Sequence, residues 1–143
     1  MANYYNQTSF VFDVGTAENV ETLCLWLTHL EDSSWTAYDR DEAQQALPES
    51  LHRLLGNHLG LDFQRDPESP SCICITADDG EAMAQIMQAA MQTLPGVPEG
   101  QGFSVSEWCD KQRIGAFGGH AFWVTKDKID FISTQQWLQE KSR

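Results

Sequence analysis

Apolar residues recur along this chain in two rhythms, a period of two and a period between three and four. Ser9-Phe10-Val11-Phe12-Asp13-Val14 is rich in β-formers and stops at Gly15, which predicts a first strand. From Thr16 the period lengthens. Val20, Leu23, Cys24, Leu27 and Leu30 share one face of a helix reaching about Glu31. Glu18 and Glu21 stand in its first turns, where the helix dipole favours negative charge, and His29 stands near its C-terminal end, where a cation is favoured. Residues 31–47 are polar and read as a loop with a short helical turn. Pro48 suits a first helical position, and Leu51, Leu54 and Leu55 predict a second helix that Gly56 or Gly60 ends.

Period two then returns. Residues 60–65 and 71–77 flank the turn-forming Asp66-Pro67-Glu68-Ser69-Pro70, a hairpin pattern. Alternation sends Ile73, Ile75 and Ala77 toward the helices and Cys72, Cys74 and Thr76 to the other side. Asp78 with Glu81 resembles a capping box. The helix it opens buries Ala82, Met83, Ile86, Met87, Ala90, Met91 and Leu94, so the methionine stripe reads as core. Residues 95–102 form a breaker-rich connector too short to separate domains. Strands are expected near 103–110 and 119–125, joined through Gly115, Gly118 and Gly119, and again at Ile129–Ile132. Ser133 and Gln136 can cap a closing helix that carries Trp137 and Leu138. A bulged hairpin here is expected to gather Trp108, Phe117, Phe122 and Trp123 into one aromatic cluster.

In order, the elements are β-α-(α)-β-β-α-β followed by β-β-α. The first part is a ferredoxin-like split βαβ pattern, with an antiparallel sheet and helices on one face. The expectation is a single α+β domain over residues 1–143, ferredoxin-like over about 8–110, with a C-terminal β-hairpin and helix over about 111–143. The second sheet face is then left open, covered by the C-terminal segment, or used in a dimer.

Charge changes the picture most. The chain of 143 residues has a net charge of -12, and that charge is unevenly placed. Residues 1–110 hold 18 acidic and 3 basic side chains, whereas residues 111–143 hold 3 acidic and 6 basic. An acidic surface opposes phosphate, so direct nucleic-acid binding is not expected. It suits a basic protein partner, as in an inhibitor, an immunity protein or a DNA mimic. Trp35, Tyr38, Asp39, Asp41 and Glu42 combine aromatic anchors with carboxylates and are the expected contact. No run of 18 apolar residues and no signal-peptide pattern is present, so no membrane association is expected. Cys24, Cys72, Cys74 and Cys109 fit reduced thiols of a cytoplasmic protein.

Candidate chemistry is sparse. Cys72-x-Cys74 lacks the spacing of a structural zinc site, and His52 and His58 are six residues apart, which does not share a helical face. No nucleophile elbow is present, so no catalytic residue, metal or cofactor is expected. Arg113-Ile114-Gly115-Ala116-Phe117-Gly118-Gly119-His120 is the best ligand candidate. Glycine amides can cradle an anion, and Arg113 and His120 add charge beside Gly118 and Gly119. It is neither a Walker loop nor a dinucleotide fingerprint.

Phe117-Gly118-Gly119-His120-Ala121-Phe122-Trp123-Val124-Thr125 and Thr134-Gln135-Gln136-Trp137-Leu138 resemble a group of small bacterial and mobile-element-type proteins. Those proteins carry a Phe-Gly-Gly-Gly-Ala-x-x-Val-Thr-like strand and a Thr-x-x-Trp-Leu-like end. His120 departs from the third glycine. The resemblance covers about a third of the chain, implies a compact α+β domain, and transfers no activity or catalytic residue.

Overall fold

The computed structural model describes residues 4–31, 37–109 and 118–142, and for residues 4, 5, 37–40 and 109 it describes the backbone alone. The elements are β1 (Tyr4–Asp13), α1 (Ala17–Glu31), α2 (Ala37–Ala46), a 3-10 helix (Glu49–Leu54), β2 (Asp62–Arg65) and β3 (Cys72–Ala77). They continue with α3 (Gly80–Thr93), β4 (Gln101–Cys109), β5 (Gly118–Val124), β6 (Ile129–Ser133) and α4 (Thr134–Lys141). The described residues form an α+β fold with a six-stranded antiparallel sheet in the order β2-β3-β1-β4-β5-β6 and four α-helices.

Strand alternation gives the sheet two unlike faces. Phe10 pairs with Ile75, Phe12 with Ile73, and Phe103 with Phe122, so these residues project to one side. That side meets α1, α3 and the 3-10 helix in a core including Leu23, Leu27, Leu51, Met83, Ile86 and Met87. Phe12 is completely buried, whereas its neighbour Val11 is 54% exposed on the other side. The alternation of β3 is as expected, with Ile73, Ile75 and Ala77 buried and Cys72, Cys74 and Thr76 half-buried. Met83, Met87 and Met91 are core, as their spacing predicts.

Two polar residues hold α1 to the sheet. The Thr16 hydroxyl accepts from the Asn19 amide at 3.1 Å, a cap at the helix start. The buried Asn19 Nδ2 donates to the carbonyls of Val14 and Pro95, each at 2.8 Å. One side chain thus ties the exit of β1 to the connector after α3, and satisfies two carbonyls that have no strand partner.

Several expected elements differ. Within the polar stretch 31–47 the chain forms α2, because Ala43 and Leu47 dock on the core. Two apolar contacts in so polar a segment give little periodicity to read. The second helix is a 3-10 turn, with Leu51 N donating to Pro48 O at 3.0 Å and Leu55 N to His52 O at 3.2 Å. His52 Nε2 lies 2.8 Å from Gln44 O and 3.1 Å from Leu47 O, so its imidazole joins the end of α2 to this turn. The cap of α3 is Asp79, not Asp78. The Asp79 carboxylate accepts from Ala82 N at 3.0 Å, while the Asp78 amide is drawn away to Leu59 O. At the other end, Ser133 caps α4 by accepting from Gln136 N.

Candidate functional site

β5 carries most of what is chemically distinctive, and its alternation divides those residues between the two faces. Gly119, Ala121 and Trp123 turn toward the face that α1 and α3 leave uncovered among the described residues, and His120, Phe122 and Val124 toward those helices. The expected aromatic cluster is therefore split. Trp123 and Phe122 are strand neighbours on opposite faces, and Phe117 lies outside the described residues. The cluster that forms instead is Phe10 on Phe103 at 4.5 Å between ring centroids, Phe103 on Phe122 at 5.2 Å, and Phe122 on Phe131 at 5.3 Å.

On the helix side, His120 Nδ1 lies 2.7 Å from Glu107 Oε1. The register that places Val105 opposite His120, and Glu107 opposite Gly118, makes this a diagonal pair on one face. The ring is set between Phe122 at 5.5 Å and Phe131 at 5.2 Å. It borders a cavity of about 450 Å³ whose other walls include Asn6, His58, Asp78, Asp79 and Glu81. Carboxylates dominate that wall, so its field opposes an anion. The imidazole–carboxylate pair can orient a ring nitrogen, but among the described residues no group of His, Cys, Asp and Glu is placed to hold a metal ion.

On the uncovered side, the short side chains of Ser104, Ser106, Gly119 and Ala121 floor a groove of about 540 Å³ walled by Ile132 and Trp137. A second hollow of about 410 Å³ shares Ala121 and Ile132 and continues to Trp123. Trp123 lies across glycines. A Cβ on Gly102 would come 2.8 Å from its ring, and one on Gly100 would come 3.2 Å from it. Those positions accept the indole because they lack side chains. Thr134 Oγ1 donates to Gly119 O at 2.9 Å and fixes the start of α4 beside the groove. No residue of α4 is buried, and Trp137 and Leu138 stand about half exposed.

The expected partner-contact residues are only partly placed. Asp41 and Glu42 are exposed on α2, Trp35 lies outside the described residues, and so do the side chains of Tyr38 and Asp39. Glu18, Glu21 and Glu31 on α1 and Glu49 on the 3-10 helix are also exposed. The ion pairs among the described residues are His120–Glu107 and Lys128–Asp130, both in the β4–β6 part of the molecule. The helical layer therefore presents carboxylates that no described cation neutralises. Of the expected ligand loop, Gly118 and Gly119 border the apolar groove, His120 borders the acidic cavity as well, and Arg113 lies outside the described residues.

Sequence reasoning passed over Glu107 as the partner of His120. The two are 13 positions apart, and only the β4–β5 register brings them together. The one available signal was that both fall on the apolar face of their strands. Cys24, Cys72 and Cys74 are free thiols. Burial pushes the Cys24 thiol above its ordinary value, with Arg65 opposing and Glu21 adding to the rise. Desolvation also raises that of Cys74, helped by Asp66 and Cys72. Among the described residues no helix is long and apolar enough to cross a membrane. No family model matches the chain, and no curated protein or solved structure matches it.

Proposed function

We propose that this chain is a non-enzymatic cytoplasmic binding protein whose acidic helical layer engages a basic protein partner, in the manner of an inhibitor, an immunity protein or a nucleic-acid mimic. The observation that carries this is the set of exposed carboxylates on α1, α2 and the 3-10 helix, none of which forms an ion pair among the described residues. Of the described C-terminal cations, Lys128 pairs locally with Asp130. An unneutralised surface of one sign raises the encounter rate with an oppositely charged partner and repels nucleic acid. Three free thiols suit a reducing compartment. The strand order β2-β3-β1-β4, with α1 and α3 on one side, supports a ferredoxin-like reading of that portion, to which β5, β6 and α4 are added. A small-ligand or anion site at Arg113, Gly118, Gly119 and His120 is the weaker reading, since an anion at His120 would face Asp78, Asp79, Glu81 and Glu107.

The test is affinity capture from an extract of the source cell, at low and at high salt, with identification of what elutes. The expected result is a basic protein released by salt and held less well by the Asp41→Asn/Glu42→Gln double variant. Capture of no basic protein at low salt, or capture indifferent to both salt and the double variant, would overturn the proposal.

A further inference from the structure

The β4–β6 part of the sheet face opposite α1 and α3 carries little charge among the described residues of a strongly acidic molecule. Over β4, β5 and β6 it presents Ser104, Ser106, Ala121, Trp123 and Ile132, and its one carboxylate, Asp130, is paired with Lys128 at 2.9 Å. Five of the seven large hydrophobic residues exposed among the described residues fall between Trp123 and Leu138. Phe131 sits on the helix side of β6, Trp123 and Ile132 lie on the uncovered face, and Trp137 and Leu138 lie on the helix beside it. Trp123, Ile132 and Trp137, which line the two adjoining hollows, make an apolar surface of the kind that marks a contact site.

α4 points the same way. It has eight residues and buries none of them. A helix that short is marginal in water without tertiary packing, and here a serine cap and the Thr134–Gly119 hydrogen bond hold only its first turn. Its Trp137 and Leu138 form a ridge next to a groove floored by serine, glycine and alanine. Ridge and groove lie on the same face, which is what an isologous two-fold contact requires.

We infer that a second copy of this chain covers this face, with the Trp137 ridge of each copy seated against the groove of the other. Charge selects this occupant. Two chains of net charge -12 repel wherever their carboxylates meet. The β4–β6 part of the uncovered face is where they can approach with no unpaired carboxylate among the described residues opposed. A basic partner would find far more attraction on α1 and α2 than on this nearly neutral surface. Self-association here also leaves both acidic helical layers outward. The inference rests on the apolar face alone and is independent of the proposed basic partner.

The experiment is sedimentation equilibrium of the full chain over a concentration series, at low and high salt. The wild type is expected to approach twice 16.1 kDa, with association unchanged or strengthened by salt, unlike contacts made by exposed charges. Trp137→Glu and Ile132→Asp are each expected to weaken it roughly tenfold or more. Trp137 belongs to a helix with no buried residue, so Trp137→Glu leaves the core intact, and a thermal melt of the variant verifies this. Leu25→Ser, on the outward face of α1, is the control and should leave association unchanged. A wild type that stays at 16.1 kDa at every concentration would overturn the inference, even if it bound apolar vesicles or another protein. So would a dimer indifferent to both Trp137→Glu and Ile132→Asp, or one dispersed by Leu25→Ser.

Discussion

Val11 and Phe12 are consecutive residues of one strand, yet one is 54% exposed and the other fully buried. The same contrast runs across the sheet. The side under α1, α3 and the 3-10 helix has Phe12, Ile73, Ile75, Phe103 and Phe122 packed against leucine and methionine. The opposite side holds short polar residues, two grooves and the ring of Trp123. Charge divides differently. Carboxylates crowd the outside of the helices, while the uncovered side over β4–β6 is close to neutral. The first kind of surface attracts a basic protein over distance, and the second rewards close apolar contact. The fold keeps these two surfaces on opposite sides of one core.

The sharpest way to break this comparison is to substitute each neighbour in β1. Phe12→Ala should lower unfolding free energy by about 3–5 kcal/mol, the range for a large buried aromatic. Val11→Thr should change it by roughly 0.5 kcal/mol or less in the monomeric state. Urea denaturation of both variants checks this, and equal effects would mean that the uncovered face is packed in the folded chain.

Asn19→Ala ranks next. It leaves the carbonyls of Val14 and Pro95 without their donor, and should cost about 1–3 kcal/mol. The same denaturation experiment reads it, and a loss near zero would mean that water replaces the amide.

The ease of reading each element follows from where its information lies. The helix α1 and the methionine face of α3 are local patterns with many repeats, so Leu23, Leu27, Met83 and Met87 announced themselves. The alternation in β3 was equally local. By contrast α2 depends on two contacts, Ala43 and Leu47, in a segment otherwise polar. The choice between Asp78 and Asp79 as cap depended on Leu59 taking the Asp78 amide. The meeting of Glu107 with His120 and the separation of Phe122 from Trp123 are consequences of strand register. Composition could state that the chain is acidic. It could not state that Lys128 pairs locally with Asp130, or that the helical carboxylates form no ion pair among the described residues.

Smaller effects sharpen the picture of the C-terminal sector. Thr134→Val removes the hydrogen bond to Gly119 O and should cost about 1 kcal/mol. Its larger signature should be faster amide hydrogen exchange confined to α4, and unchanged exchange there would show that packing already holds the helix. Smallest of all, Asp41→Asn/Glu42→Gln should alter stability by about 0.5 kcal/mol or less, because both carboxylates are exposed. A larger loss in thermal denaturation would reveal a structural role for them.

The central claim is that the neutral apolar face meets another copy while the acidic helices stay open to solvent. Covalent footprinting of the wild-type chain at rising concentration tests it most directly, by following oxidation of Trp137 and carbodiimide labelling of Glu18 and Glu42 in the same samples. The account predicts that Trp137 becomes protected as concentration rises while Glu18 and Glu42 label at a constant rate. Protection of Glu18 and Glu42 with no change at Trp137 would contradict it.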